Sequence, residues 1–182
     1  MTTAVVSAVE LLERSLGYTR VALIGVTDAG LDDPTPCRVW TLRDLLAHMD
    51  DSLDAFTEAA GGSVALTPAR TASRVAVLQQ KACALLGLWS QEQTPDIRVG
   101  RADLATELLV AAAALEITVH GWDVGRATGA GQPIPEDLAR HLLPVAHELV
   151  TESDRGVRFA APLPAAPDAS ADEKLRSFLG RA

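Results

Sequence analysis

Aromatic residues are scarce in this chain: its 182 residues include 3 Phe, 3 Trp and 1 Tyr. Because 48% of the residues are nonetheless hydrophobic, Leu, Val and Ala must fill the core. This composition favours a helical bundle over a β-sandwich or a β-barrel. The length suits one domain, so we expect residues 1–182 to fold as a single unit.

Cysteines and basic residues are also few. The two cysteines, Cys37 and Cys83, cannot build a disulfide framework or a zinc cluster of thiolates. The 16 Lys and Arg against 24 Asp and Glu give a net charge of −8, and no basic run occurs, so we expect neither nucleic acid nor a membrane as a partner. Residues 1–9 do not resemble a signal peptide, and no apolar run reaches about 18 residues. We therefore expect a cytoplasmic protein.

Apolar residues recur with the period of an α-helix in five segments. They predict helices over about residues 3–26, 41–60, 68–90, 103–127 and 135–152. Thr41 and Asp44 resemble a capping box at the start of the second helix, and Asp103 is expected to cap the fourth. Pro144 predicts a kink or break in the fifth segment. Gly17, inside the first helix, costs up to about 1 kcal/mol relative to Ala.

The last part of the chain, residues 154–182, has a different pattern. Ser170 and Glu173 form a capping box for a short final helix. Leu175, Phe178 and Leu179 give that helix an apolar face, which we expect to dock on the bundle. The predicted fold is therefore all-α: a four-helix bundle, an extra helical segment and an irregular C-terminal tail.

The stretch most informative about function is residues 108–123. Glu116 is the sole charged residue between positions 108 and 119, and a carboxylate in so apolar a helix is costly unless it is paired or bound to a cation. His120, four residues later, lies on the same helical face, and His48 borders the apolar stripe of the second predicted helix. We predict that His48, Glu116 and His120 hold one divalent metal ion. Two imidazoles and one carboxylate suit Zn²⁺ best, and also Ni²⁺, Fe²⁺ or Mn²⁺.

Such a site would have chemical consequences. Three protein ligands leave an open coordination position, as in catalytic sites, and the ion would activate a bound water or hold a thiol as thiolate. Asp123 is a candidate acceptor for the other N–H of a ligand histidine, and an ion pair between Asp123 and Arg126 is an equal alternative. Taken alone, a Glu-x-x-x-His pair on a helix is more often structural, and His48 is more often a boundary histidine.

The remaining reactive side chains carry weaker signals. Cys37 has one basic neighbour, Arg38, to lower its pKa, so its role stays open. Cys83 lies in an apolar run, which favours an inert core thiol. His141 and His147 are six residues apart and so do not share a helical face; we expect neither to be a metal ligand.

Several segments in chain order resemble a known group of proteins. They are Thr35-Pro36-Cys37, residues 40–48 (WTLRDLLAH), Glu116, residues 120–123 (HGWD), residues 126–129 (RATG) and residues 168–181. Together they resemble the DinB/YfiT-like bundle proteins, and within them the mycothiol-dependent maleylpyruvate isomerase N-terminal-type family of actinobacteria.

The resemblance implies a four-helix bundle with one long crossover and a divalent metal, usually zinc or nickel, held by His48, Glu116 and His120. The isomerase of this family binds a small thiol at the metal and adds it to an unsaturated acid. A C-terminal domain there supplies an arginine to the active site, and we match no arginine of this chain to that role.

From these observations we expect a metal-dependent transferase or isomerase that uses mycothiol, or a related small thiol, against an electrophilic substrate. A non-catalytic metal-binding bundle and a metal-dependent hydrolase are the alternatives. Metal-dependent loss of free thiol in the presence of an electrophile discriminates between them. A homodimer stays open.

Overall fold

The computed structural model describes residues 6–37, 39–61, 73–91, 95–99 and 102–182, and this part of the chain is mainly helical. Its helices and strands, in chain order, are α1 Ala8–Ala22, α2 Leu42–Ala59, α3 Arg74–Trp89, β1 Asp96–Val99, β2 Ala102–Ala105, α4 Thr106–Thr128, α5 Glu136–Leu149 and α6 Ala171–Phe178. Short 3-10 turns lie at Leu23–Gly25, Asp28–Gly30 and Glu152–Asp154. The predicted all-α class is confirmed.

Helix α4 is the centre of the bundle. Helices α1, α2 and α5 pack against it, and 16 of its 23 residues are buried, which explains its long apolar run. Helices α1 and α2 each pack on both α3 and α4, so α1 and α2 lie diagonally opposite each other in the four-helix bundle. The connection between them, described over residues 23–37 and 39–41, is therefore a long crossover. Within the described residues, α4 alone is long and apolar enough to cross a membrane, and 83% of that window is buried in the bundle.

Helices α1 and α4 approach each other closely where small residues meet. A Cβ atom added at Gly121 would collide with the side chain and Cα of Thr19. The Thr19 hydroxyl donates a 2.8 Å hydrogen bond to the carbonyl oxygen of Ile117. Because this carbonyl is one turn from Gly121, the pair fixes α1 against the part of α4 that carries Glu116 and His120.

The capping box predicted for α2 is confirmed. The Thr41 hydroxyl accepts a hydrogen bond from the Asp44 amide at 3.3 Å, and the Asp44 carboxylate accepts one from the Thr41 amide at 2.9 Å. The box fixes where α2 begins, and with it the rotation of the helix that presents His48.

Two predicted boundaries are wrong. Asp103 does not cap α4: it lies in β2, which pairs antiparallel with β1, and α4 begins at Thr106. Of the kink or break predicted at Pro144, the break does not occur: helix α5 runs through this residue. Buried side chains on both sides of the proline, Leu142 and Ala146, hold the helix in the core. The predicted start of α3 at position 68 lies outside the described residues.

The surface between α2 and α3 also differs from the sequence prediction. Lys81 is buried and its ammonium group lies 2.7 Å from carboxylate oxygens of both Asp50 and Asp54. These acids therefore join α2 to α3. Cys83, expected in the core, is exposed, because α3 turns its Leu78, Leu85 and Trp89 side inward.

The C-terminal tail docks on the bundle as predicted. Ser170 and Glu173 form the expected capping box, and α6 packs on α5. Leu175 is 0% exposed and Leu179 is 1% exposed. This docking brings the last residues of the chain back to α4.

Candidate metal centre

The structure brings the three predicted ligands together. The Nε2 atom of His48 lies 2.7 Å from Oε1 of Glu116, and Nε2 of His120 lies 3.1 Å from the same oxygen. The two imidazole rings meet edge to face, with centroids 4.9 Å apart. The donor atoms of all three residues, His48, Glu116 and His120, lie within 4.8 Å of one another.

Helix packing explains this convergence. Glu116 and His120 share one face of α4, as their four-residue spacing requires. His48 comes from α2, where the neighbouring Leu45 and Met49 are buried and fix that helix against α4. Trp40, just before the helix, packs against the His48 ring with centroids 4.7 Å apart.

The charges of the cluster are strongly coupled. Burial alone would raise the pKa of Glu116, but hydrogen bonds with His120 and His48 outweigh it and hold the pKa well below its usual value. Burial alone would lower the pKa of His120, but its bonds to Asp123, Cys37 and Glu116 raise it well above the usual value. In the metal-free protein Glu116 is therefore an anion, and His120 carries the proton that compensates it.

Asp123 contacts His120, the partner that the sequence analysis gave as one of its two alternatives. Its Oδ2 atom accepts a 3.0 Å hydrogen bond from Nδ1 of His120, and the Asp123 side chain is 0% exposed. Arg126 instead places its guanidinium over the Trp122 ring, 5.7 Å from the centroid. With Nδ1 fixed as the donor, Nε2 of His120 points to Glu116 and is free to bind a cation once it loses its proton.

Two further residues belong to this network and were missed from the sequence. Arg181, in the tail, donates to Asp123 from Nε at 2.9 and 3.1 Å and from Nη2 at 2.9 Å. The Cys37 thiol lies 3.3 Å from Oδ2 of Asp123 and 3.7 Å from Nη2 of Arg181. The contact between Asp123 and Arg181 joins residues 58 apart in the chain, so no local pattern indicates it. The sole indication in the sequence was that Cys37 and Arg181 both lie in segments that resemble the family, residues 35–37 and 168–181.

The donor set fits a divalent cation on the Glu116 side of His120. Ligand atoms about 2.0–2.1 Å from a tetrahedral zinc ion lie about 3.3 Å apart. The observed nitrogen-to-oxygen separations of 2.7 and 3.1 Å would therefore have to open by about 0.6 and 0.2 Å. A second group, Cys37, His120 and Asp123, also has donor atoms within 4.8 Å. There the Arg181 guanidinium already compensates the carboxylate, so this side of His120 does not need an ion.

The cluster opens into a cavity. Helices α1 to α4 surround an open pocket of about 210 Å³, and Ser52, Glu116 and His120, which contact one another, lie together in its lining. Apolar side chains form most of the wall, including Leu16, Met49, Leu53, Leu78 and Leu86. Glu116 and His120 are thus accessible to a small molecule that enters this pocket.

The other two histidines lie elsewhere. Nδ1 of His141 donates to the carbonyl oxygen of Asp137 at 2.7 Å, and the His147 ring packs on Phe178 with centroids 4.0 Å apart. Both contacts are local to α5 and α6, and neither residue lines the cavity.

Comparison with known proteins agrees with this geometry. Residues 13–125 match the model of the mycothiol maleylpyruvate isomerase N-terminal domain. The chain belongs to this family. The match includes His48, Glu116, His120 and Asp123, and ends before the tail that supplies Arg181.

Relatives add little about function. Two Mycobacterium tuberculosis proteins, from strains H37Rv and CDC 1551, are each 26% identical over 155 residues, covering 83% of this chain and 85% of the relative. Both are described only as uncharacterized. No solved structure matches the chain.

Proposed function

We propose that this member of the isomerase N-terminal domain family binds one divalent metal ion, zinc by preference over nickel, iron or manganese, at His48, Glu116 and His120. We further propose that it adds a small thiol, such as mycothiol, to an electrophilic substrate. The observation that carries the proposal is the convergence of three donor atoms, all within 4.8 Å of one another, at one end of an apolar cavity.

Each residue has a distinct part in this proposal. Glu116 offsets the charge of the ion, and His48 and His120 supply neutral nitrogen ligands. Asp123, held by Arg181, keeps the proton of His120 on Nδ1 so that Nε2 faces the ion. A divalent ion held there would lower the pKa of a thiol and favour its thiolate form. The cavity brings the electrophile to the same place.

The reaction needs no redox partner. A new bond forms between the thiol sulfur and the β-carbon of an unsaturated carbonyl compound, while the π bond between the α- and β-carbons breaks. The proton lost by the thiol ends on the α-carbon, so no electrons enter or leave. The proposal places this chemistry in the cytoplasm, where small thiols are kept reduced.

A thiol-consumption assay tests the proposal. Zinc-loaded protein is mixed with mycothiol and 4-phenyl-3-buten-2-one, an α,β-unsaturated ketone, and the free thiol is measured over time. We expect the wild-type protein to accelerate thiol loss and Glu116→Gln to abolish the acceleration. The matched control, His147→Ala, should behave as wild type because His147 lies on α5 against Phe178.

The outcomes separate the alternatives. Bound zinc with no acceleration of thiol loss, with this ketone or with other electrophiles, would favour a non-catalytic metal-binding bundle. Zinc-dependent cleavage of an ester without any thiol would favour a hydrolase.

A further inference from the structure

The cavity beside the metal centre has a polar end and an apolar body. Glu116, His120 and Ser52 line the polar end, and Ser52 donates to Glu116 at 3.4 Å. Leucine and methionine side chains from the α1, α2 and α3 sides, together with Ile117 of α4, form most of the body. A ligand that fills this space must therefore combine a compact polar group with an apolar remainder.

The volume limits how much of that apolar remainder the cavity can bury. A cavity of about 150 Å³ lined by apolar side chains holds a benzene molecule. In proportion, about 210 Å³ holds an apolar group of about eight carbon atoms. A phenyl ring with a short chain meets this limit.

The apolar body of the cavity disfavours a strongly acidic group. Among the described residues that line the cavity, Arg20 is the sole Lys or Arg, and both Arg20 and the acidic Glu13 are exposed on α1. Arg181 is not available to a substrate, because Asp123 engages its guanidinium. A carboxylate moved into the apolar body would lose its hydration without gaining a partner.

We infer that this cavity is the acceptor site, and that it takes an uncharged electrophile, such as an aryl enone, with an apolar body of about eight carbon atoms. Its reactive carbonyl end faces Glu116 and His120. The inference rests on the proposed function for that reactive end, whereas the binding of the apolar body depends on the cavity alone. A sugar-bearing thiol such as mycothiol is too polar for these walls and must approach from outside the cavity.

Gly17 provides a direct way to block the cavity. It lies in α1 and lines the cavity, and a Cβ atom added there meets no atom within 4 Å. A leucine at this position would extend into open space at the mouth and occupy it. Since Gly is the poorest helix former after Pro, Gly17→Leu should not destabilise α1.

The matched control is Gly87. It is also a helical glycine with an exposed position and no atom within 4 Å of an added Cβ, but it does not line the cavity. Gly87→Leu therefore makes the same chemical change on α3 without filling the space.

Binding is measured by calorimetry with the full chain, with and without zinc. The ligand is 4-phenylbutan-2-one, the saturated counterpart of the enone, so no reaction interferes. We expect binding to wild type and to Gly87→Leu with the same affinity within about twofold, and at least a tenfold weaker affinity for Gly17→Leu. In the metal-free protein, maleate, a dianion, should not compete with the ketone, because the apolar body offers its carboxylates no partner. Absence of ketone binding, unchanged affinity in Gly17→Leu, or competition by maleate in the metal-free protein would overturn the inference.

Turnover separates this inference from the proposed function. If the ketone binds and Gly17→Leu loses it while no variant accelerates thiol addition to the enone, the proposed function fails and the ligand class of the cavity stands. If wild type accelerates the addition and Gly17→Leu does so equally well, the cavity is not the acceptor site, while thiol transfer stands.

Discussion

Replacing Arg181 by Met tests how strongly the tail is tied to the metal centre. Arg181→Met removes the guanidinium and keeps an unbranched apolar side chain of similar reach. In the native protein Asp123 is 0% exposed and Arg181 is 9% exposed, with three N–O contacts between 2.9 and 3.1 Å. The substitution leaves a buried carboxylate with one strong partner, His120.

The magnitude follows from this burial. Breaking a buried ion pair on one side costs about 3–5 kcal/mol. Because His120 still donates to Asp123 at 3.0 Å, we expect the lower end, a loss of about 3 kcal/mol in the free energy of unfolding. For a chain of this length, that loss corresponds to a melting temperature about 6–12 °C lower.

Urea unfolding and calorimetry of the metal-free protein measure this loss. Arg140→Met is the matched control, because Arg140 is 60% exposed on α5 and pairs with exposed acids; we expect no measurable change. Adding Asp123→Asn to Arg181→Met should recover part of the stability, since no unpaired charge is then buried. An Arg181→Met protein as stable as wild type would refute the view that this pair fastens the tail to α4.

Two further predictions concern the same network, and a third concerns the packing of α6. Asp123→Asn should weaken zinc binding by about 10–100-fold, measured by competition with a chromophoric chelator; an unchanged affinity would show that Asp123 does not orient His120. Because the pKa of His120 is raised in the metal-free protein, zinc must displace the proton of this histidine. The affinity for zinc should therefore fall as the pH is lowered. Calorimetry in buffers of different ionisation enthalpy should find about one proton released per zinc ion at neutral pH. Zero release would contradict this protonation state. Leu175→Ala should cost about 2–5 kcal/mol in urea unfolding, because Leu175 is 0% exposed; a smaller loss would mean that α6 is only loosely attached.

Local rules explain what the sequence predicted well. The helical period located the long helices, and the capping residues Thr41 and Ser170 placed the starts of α2 and α6 within one residue. A single carboxylate in an apolar helix pointed to Glu116, and the helical spacing added His120. These inferences succeed because each depends on neighbours within two turns.

Long-range packing explains what was missed. Arg181 and Cys37 reach Asp123 across 58 and 86 residues of chain, and nothing local marks either as part of the site. Cys83 lies in a run apolar on every face, so the sequence could not show which side of α3 is exposed. Gly17 appeared only as a cost to α1, and the cavity that it lines is formed by four different helices.

Bound metal per chain tests the central claim most directly. Protein purified without added chelator is analysed for metal in wild type, His48→Ala and Glu116→Gln, with His141→Ala and His147→Ala as controls. We expect about one divalent ion, zinc by preference, per chain in wild type and both controls. The two ligand variants should lose most of it and remain folded. Full metal content in His48→Ala, or no divalent ion in wild type even after incubation with zinc, would contradict the assignment of this site.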